Sequence, residues 1–377
     1  MVALTPIPEP FRLQSYFYNI PEDRIAQHPT QQREASRLLL VPTGASTFAE
    51  SPFSQLPEIL PPGSLLVHNN SKVLPARLLG TKPTGGKTEF LLLTPLPLIA
   101  PQPYGSGWQA EAEGLVRGLK AGQGMDFHGL TVEVIQRGDF GRCQVRLTWY
   151  GDLADIFTRH GHIPLPPYIT RTDTPEDVDR YQTIYANPAK LGSVAAPTAG
   201  LHFTPEILHA LEQAGIQTAA VTLYVGYGTF SPVRCPDIRQ HRMHAEYIEV
   251  DEATASAIAR AKKEGRPVVA VGTTSARTLE SLPHRAHGIR PYQGWTDLYI
   301  LPGYQFQVVD ALITNFHLPG SSLLIMVAAL AGLSTVHAAY AHAIHNGFRF
   351  YSYGDAMLVA RPGFFSGGSY ALSRRVP

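Results

Sequence analysis

Apolar and polar positions change rhythm twice along the chain. Between residues 73 and 150 they alternate in short runs such as Thr88-Glu89-Phe90-Leu91-Leu92, Trp108-Gln109-Ala110-Glu111-Ala112, Leu130-Thr131-Val132-Glu133-Val134-Ile135 and Cys143-Gln144-Val145-Arg146-Leu147, separated by glycine-rich turns. A period of two without helical spacing predicts half-buried strands, and short strands at this spacing make a small barrel or sandwich. On either side the pattern differs. Leu38-Leu39-Leu40-Val41, Leu65-Leu66-Val67, Val221-Thr222-Leu223-Tyr224-Val225 and Val268-Val269-Ala270-Val271 are short apolar runs, as expected of strands covered on both faces.

Helical spacing lies among these runs. Ile207, Leu208, Leu211 and Ala214 share one face behind an N-cap at Thr204, Pro205 at the first position and a stop at Gly215. Further helices are predicted at 20–26, 151–160 and 177–185. Asp251 and Ser334 are expected to cap helices that stop at Gly265 and Gly347, and 348–353 to return as a strand. The predicted fold class is therefore an α/β main domain, a sheet with packed helices, carrying an inserted small all-β barrel domain. Residues 1–72 form the first part of the α/β domain, 73–150 the barrel and 151–360 the second part; 361–377 is expected as a mobile tail, and the proline-rich first fifteen residues as disordered or draped on the surface.

Composition narrows the function. The 377 residues carry a net charge of +1 with only 16% charged positions, so any nucleic acid must be met by local positive charge. Cys143 and Cys235 form no CxxC pair, which suits a reducing cytosol, and the N-terminus has no signal-peptide pattern, so a cytoplasmic location is expected. Residues 311–348 lack Asp, Glu, Lys and Arg, yet the unbroken apolar part, 323–333, is too short for a bilayer and is expected as a buried helix.

Candidate chemistry gathers at three loops. Residues 195–203, Ala-Ala-Pro-Thr-Ala-Gly-Leu-His-Phe, run into the Thr204-capped helix; Gly226-Tyr227-Gly228-Thr229 and Gly272-Thr273-Thr274-Ser275 each follow a predicted strand. Small hydroxyl-bearing loops at strand ends predict one crevice at the carboxyl edge of the sheet, with helix N-termini suited to anionic groups. Around it come His202, Thr198, Arg277, Asp297, Asp310, Asn315, His317 and Asp355. Trp295 near Asp297 and Phe316 beside His317 suit a heteroaromatic, cationic ligand. Gly85-Gly86-Lys87-Thr88 is a hairpin turn and no phosphate loop, because Thr81 stands where the loop needs glycine and a strand follows. A three-glycine dinucleotide loop and a GxSxG elbow are missing, and His241, His244, His337, His342 and His345 have no carboxylate at a matching position and read as core or surface residues.

Several blocks resemble one family: Tyr181-Gln-Thr-Ile-Tyr185, residues 195–203, Gly228-Thr229-Phe230, His241-Arg-Met-His-Ala-Glu246, residues 271–281, Gly294-Trp-Thr-Asp297, Pro302-Gly-Tyr304, residues 309–319 and 350–358. In order and spacing they are similar to the S-adenosylmethionine:tRNA ribosyltransferase-isomerases of queuosine biosynthesis. The resemblance implies a monomer that moves the ribosyl part of S-adenosylmethionine to a 7-aminomethyl-7-deazaguanine at the tRNA wobble position. The sugar is isomerised to epoxyqueuosine, with release of adenine and methionine. S-adenosylmethionine is then a consumed substrate, with no true cofactor and no metal, and partners are that tRNA and no membrane. In this reaction His202 or His317 is expected to supply base or acid and Asp297 to pair with the cation. Thr198, Gly200, Gly228, Thr229, Thr273, Thr274, Ser275 and Asn315 would cradle the donor, with Arg277 as a carboxylate clamp. Lys72, Arg77, Arg159, Arg171 and Arg180 are the expected tRNA phosphate contacts.

The chain departs from the family pattern in one block and at four single positions. Asn69-Asn70-Ser71-Lys72 replaces Asn-Asp-Thr-Arg; Tyr224 stands where a histidine is expected and Tyr227 where a smaller residue is common; Gln307 and Gly320 replace frequent lysines. Two other functions remain open: an S-adenosylmethionine-dependent RNA methyltransferase, and a tRNA-binding homologue impaired in catalysis by the Tyr224 exchange.

Overall fold

The computed structural model describes residues 6–366 except 83, 227, 229–231 and 283–288. Among the described residues, nine strands form a mixed sheet, and seven form a second, antiparallel one. Strands Leu65–Asn69, Gln217–Leu223, Val268–Val271 and Ala311–Asn315 run parallel at the centre of the larger sheet, so their carboxyl ends open on one edge. Their side chains divide by parity. Val268, Ala270, Leu65, Val67 and Leu312 face one core with helices Glu252–Lys263, Ser322–Ala331 and Leu333–His345, whereas Val269, Val271, Leu66, Ala311 and Ile313 face another with Pro205–Gln213. Both faces are covered, which is why these strands read as continuous apolar runs.

The antiparallel sheet curls toward closure. Its end strands, Arg77–Thr81 and Gly124–Phe127, approach so closely that a Cβ on Gly80 would lie 2.8 Å from Met125 and 3.1 Å from Phe127. Phe90, Phe127, Val132, Val145 and Leu147 fill its interior, and helix Leu153–His160 adds Phe157. The chain leaves the large sheet through Lys72–Val73 and returns through Leu191–Ser193, which pairs with it in parallel.

Local signals account for much of this. Thr204 Oγ1 accepts from Ile207 N, and Gly215 ends that helix at φ +76°. Asp251 caps Glu252–Lys263, and the apolar run after Ser321 is a helix buried on all sides. No single helix among the described residues is long and apolar enough to cross a membrane; the two apolar helices Ser322–Ala331 and Leu333–His345 meet at 111°.

Other expectations are corrected. Gly332, not Ser334, precedes helix Leu333–His345. The helix expected at 177–185 is Pro175–Arg180, because Thr174 and Asp177 make a reciprocal capping box three residues earlier. Residues 20–26 hold only a single 3-10 turn, Glu22–Arg24. Residues 348–353 are no strand; the return strand is Ala356–Ala360, and a turn with Tyr351 at φ +70° precedes it. The proline-rich start is pinned by Leu13 N donating to Pro236 O, and Phe364 and Phe365 are buried in the core on the Pro205–Gln213 side.

Candidate functional site

Two cavities open at the carboxyl edge of the parallel strands, on either side of Val225-Gly226. The first is bounded by Pro197-Thr198-Ala199, by Gly272-Thr273-Thr274, by residues 314–318 and by Tyr168, Tyr351 and Ser352. Gly272 is the hinge of its floor. It sits at φ +85°, turning strand Val268–Val271 directly into helix Gly272–Glu280, so the predicted loop is the helix's first turn. The turn's amides and the Thr273 and Thr274 side chains therefore border the cavity. Thr274 is 5% exposed, and its Oγ1 has no hydrogen-bond partner among the described residues. Such a buried, unmet hydroxyl costs about 1–3 kcal/mol unless something fills the cavity.

A hydrogen-bonded chain fixes the opposite wall. His202 Nε2 lies 3.3 Å from Asn315 Nδ2, and Asn315 Oδ1 accepts from Thr198 Oγ1 at 2.9 Å. The amide must donate to His202 Nε2, so the proton of His202 is on Nδ1 and points to Ser36 Oγ, 2.9 Å away. His202 is 3% exposed, does not line the first cavity, and has both ring nitrogens engaged. It stands one residue back from the cavity wall: it holds Asn315, and Asn315 holds Thr198.

His317 does line the cavity, with Nε2 2.7 Å from Thr314 Oγ1 and its amide donating to the Tyr340 hydroxyl. Burial pushes both imidazoles down to about 3, helped at His202 by Arg33 and Arg349, so both are neutral at pH 7. Three aromatic residues complete the wall: Phe316, Tyr168 and Tyr351, the last two 4.7 Å apart between ring centroids. Tyr351 holds the left-handed backbone region, which costs a bulky side chain roughly 1 kcal/mol or more.

The second cavity lies where the curled sheet meets the large one. It is lined by Glu113 and Arg142 from the former, and by Tyr224, His244, Glu246, Arg277 and Trp295. Arg277, 2% exposed, pairs through Nη1 with Glu246 Oε2 at 2.9 Å, and Glu246 Oε1 accepts from Gly226 N. Tyr224 donates to Glu249, which also binds Lys190, so the histidine-to-tyrosine exchange is built into an internal contact. Gly228 also borders this cavity, where a Cβ would lie 2.5 Å from His244.

The other expected residues fall as follows. Thr198, Thr273, Thr274 and Asn315 come together with His317 at the first cavity. Ser275 does not face either cavity, because its hydroxyl bonds back to Val271 O. Gly200 packs under Tyr185, whose hydroxyl would lie 2.1 Å from an added Cβ. Arg277 reaches only the second cavity, and Asp297 is exposed and lines neither. Thr229 lies outside the described residues. Asp310 pairs with Lys262 and Arg361, while Asp355 accepts from the amides of Arg37 and Arg349.

Among the basic residues, Arg171 clasps the buried Asp177 at 2.6 and 2.8 Å, and Arg180 donates to the carbonyls of Thr30 and Gln31. Both are engaged in these internal contacts. Arg77 pairs with Glu89 and Arg159 with Asp155, each at 3.0–3.1 Å and partly exposed; Lys72 is half-buried at the junction strand. Sequence reasoning missed Tyr168, Tyr351, Glu113, Arg142, His244 and Glu246. Tyr351, His244 and Glu246 carried a signal, since each stands in one of the family-like blocks without a role assigned to it.

A crevice at the carboxyl edge of parallel strands, with a helix N-terminus, hydroxyls and aromatic rings, defines a small-molecule site of the α/β type. Residues 13–359 match the family described as Queuosine biosynthesis protein, and the chain belongs to that family. It is 58% identical over 361 residues to the S-adenosylmethionine:tRNA ribosyltransferase-isomerase of Nitratidesulfovibrio vulgaris strain DP4, covering 93% of this chain and 97% of that one. The enzyme of the same name from Syntrophomonas wolfei is 45% identical, with 93% and 97% covered. The crystal structure of S-adenosylmethionine tRNA ribosyltransferase from Thermotoga maritima superposes with a TM-score of 0.51 at 33% identity, covering 92% of this chain and 99% of that one.

Proposed function

We propose that the chain transfers the ribosyl moiety of S-adenosylmethionine to 7-aminomethyl-7-deazaguanine at the tRNA wobble position and isomerises it to epoxyqueuosine, releasing adenine and methionine. The observation that carries this is 58% identity to an enzyme of that name along nearly the whole chain. S-adenosylmethionine is the consumed donor, and the protein acts as an α/β domain interrupted by a barrel domain at 73–150.

The first cavity suits the donor. Tyr168, Phe316 and Tyr351 offer π faces to a sulfonium and an adenine, and the first turn of helix Gly272–Glu280 offers amides and hydroxyls to the ribose and carboxylate. A sulfonium acidifies the adjacent C5′ hydrogens. His317, neutral above pH 4, takes one of these protons, directly or through Thr314. The imidazolium so formed in a buried site is a strong acid. It passes the proton to the departing adenine; the neutral aminomethyl nitrogen bonds to the sugar and releases one of its own protons to solvent, and the sugar oxygen that closes the epoxide displaces methionine, which leaves as the neutral thioether with the C5′–S electron pair. His202, through Asn315, is a positioning residue for Thr198.

Adenine release from S-adenosylmethionine and the aminomethyl-bearing tRNA tests this. The wild-type protein is expected to release free adenine, and His317→Gln to lose at least two orders of magnitude in kcat. S-adenosylhomocysteine in place of adenine would identify a methyltransferase and overturn the proposal.

A further inference from the structure

We propose that the second cavity, at the junction of the curled and large sheets, binds the extruded wobble base itself; this rests on the activity proposed above. A guanine-type base presents two adjacent N–H donors, N1 and N2, beside an acceptor, O6, on one edge. Its complement is a fixed carboxylate next to a fixed donor, beneath an aromatic face.

The cavity holds that set. Glu246 is 4% exposed and clamped by Arg277 Nη1 and the Gly226 amide, so its carboxylate has one orientation. Arg277 Nε is buried and has no hydrogen-bond partner among the described residues. Arg142 Nη1 donates to His244 Nδ1 at 3.1 Å, and Glu113 holds Arg142 at 2.8 Å. With Nδ1 accepting, a neutral His244 carries its proton on Nε2, a donor for O6. Burial and the neighbouring Arg142 lower the His244 pKa, which keeps it in that form. Trp295, 56% exposed, is braced edge-to-face on Tyr247 at 5.4 Å and offers its face at the mouth. A base attached to a polymer needs such an open mouth and stacking surface.

Placement agrees with the chemistry. Val225 lines the first cavity and Gly226 the second; Thr274 lines the first, and Arg277, about one turn further along the same helix, lines the second. The two substrates of a group transfer have to meet across such a distance. The first cavity has no Asp, Glu, Lys or Arg among its lining residues, so it offers a guanine edge no carboxylate.

Trp295→Ala tests the assignment, since an exposed side chain can be removed without touching the core. The KM for the aminomethyl-bearing tRNA is expected to rise about tenfold. The dissociation constant of S-adenosylmethionine alone, measured by calorimetry, is expected to stay within about twofold. His244→Ala should show the same split. Equal losses for both substrates would place the methionine end of the donor here, and an unchanged KM for tRNA would empty the site; either overturns the proposal. Failure of the activity is read separately. A wild-type protein that releases no adenine but prefers the aminomethyl-bearing tRNA over one with guanine, and loses that preference in Trp295→Ala, keeps the base site and sinks the reaction.

Discussion

The two cavities share one helix and differ in how they handle polarity. The first is neutral: hydroxyls, an amide, one histidine held uncharged, His317, and three aromatic rings. The second is charged but internally compensated, with Arg277 on Glu246 and Arg142 on Glu113. A neutral, rigid pocket suits a ligand that brings its own cation, because a buried protein charge would repel it or compete with it. A compensated ionic pocket suits a neutral base with many hydrogen bonds, because the pairs are oriented and have polar edges left over. The contrast teaches that the burial of ionic groups here follows the needs of two different substrates.

The largest effect should come from breaking compensation in the second cavity. Arg277→Met leaves Glu246 buried without its cation and should cost about 3–5 kcal/mol of stability by denaturant titration. The matching change in the first cavity, Thr274→Val, removes a hydroxyl that has no partner among the described residues and should leave stability within about 1 kcal/mol while weakening donor binding. Similar losses from both would erase the distinction.

Next comes pH. His202 and His317 titrate near 3 and His68 near 4 in the folded chain, all depressed by burial, against about 6.5 unfolded. Between those limits the unfolded chain binds more protons, so stability is complete above about pH 6.5 and falls as pH drops toward 4. His202→Gln, which keeps a hydrogen-bonding side chain without the titration, should flatten part of this slope in equilibrium unfolding.

A further pair of changes separates ring from backbone at the first cavity. Tyr351→Gly relieves the left-handed backbone by roughly 1 kcal/mol but removes a buried ring from the core, so the protein should lose about 2–4 kcal/mol net and S-adenosylmethionine should bind about five- to tenfold more weakly. The smallest concerns the partly exposed cations. Lys72→Ala with Arg77→Ala should lower the slope of log affinity against log salt for tRNA by up to about one per lost phosphate contact, whereas Arg171→Ala should act on stability through Asp177.

Most of the scaffold could be read from the sequence because its signals are local. Thr204, Pro205 and Gly215 bracket a helix, and alternation marks the curled sheet. Errors came where a tertiary contact overrode a local pattern. The apolar run 348–353 looked like a strand, yet Tyr351 turns out of it toward the first cavity. Ser275 looked like a ligand donor, but the helix begins at Gly272, and the hydroxyl then lies one turn from Val271 O. Arg171 read as a free cation because nothing in the sequence pairs it with Asp177 inside a capping box. The loss of a frequent lysine at Gly320 has a local cause: φ is +65° there and a Cβ would lie 3.2 Å from Phe17. The second cavity was the least legible, since Glu113 and Arg142 reach it from a different sheet from Glu246 and Arg277.

The division of labour between the cavities is tested most directly by a crystal structure with S-adenosylmethionine bound. The account predicts the sulfonium against Tyr168 and Tyr351, the C5′ carbon within reach of Thr314 and His317, and the cavity of Glu246 and Arg277 free of it. A methionine carboxylate seated on Arg277 would contradict it.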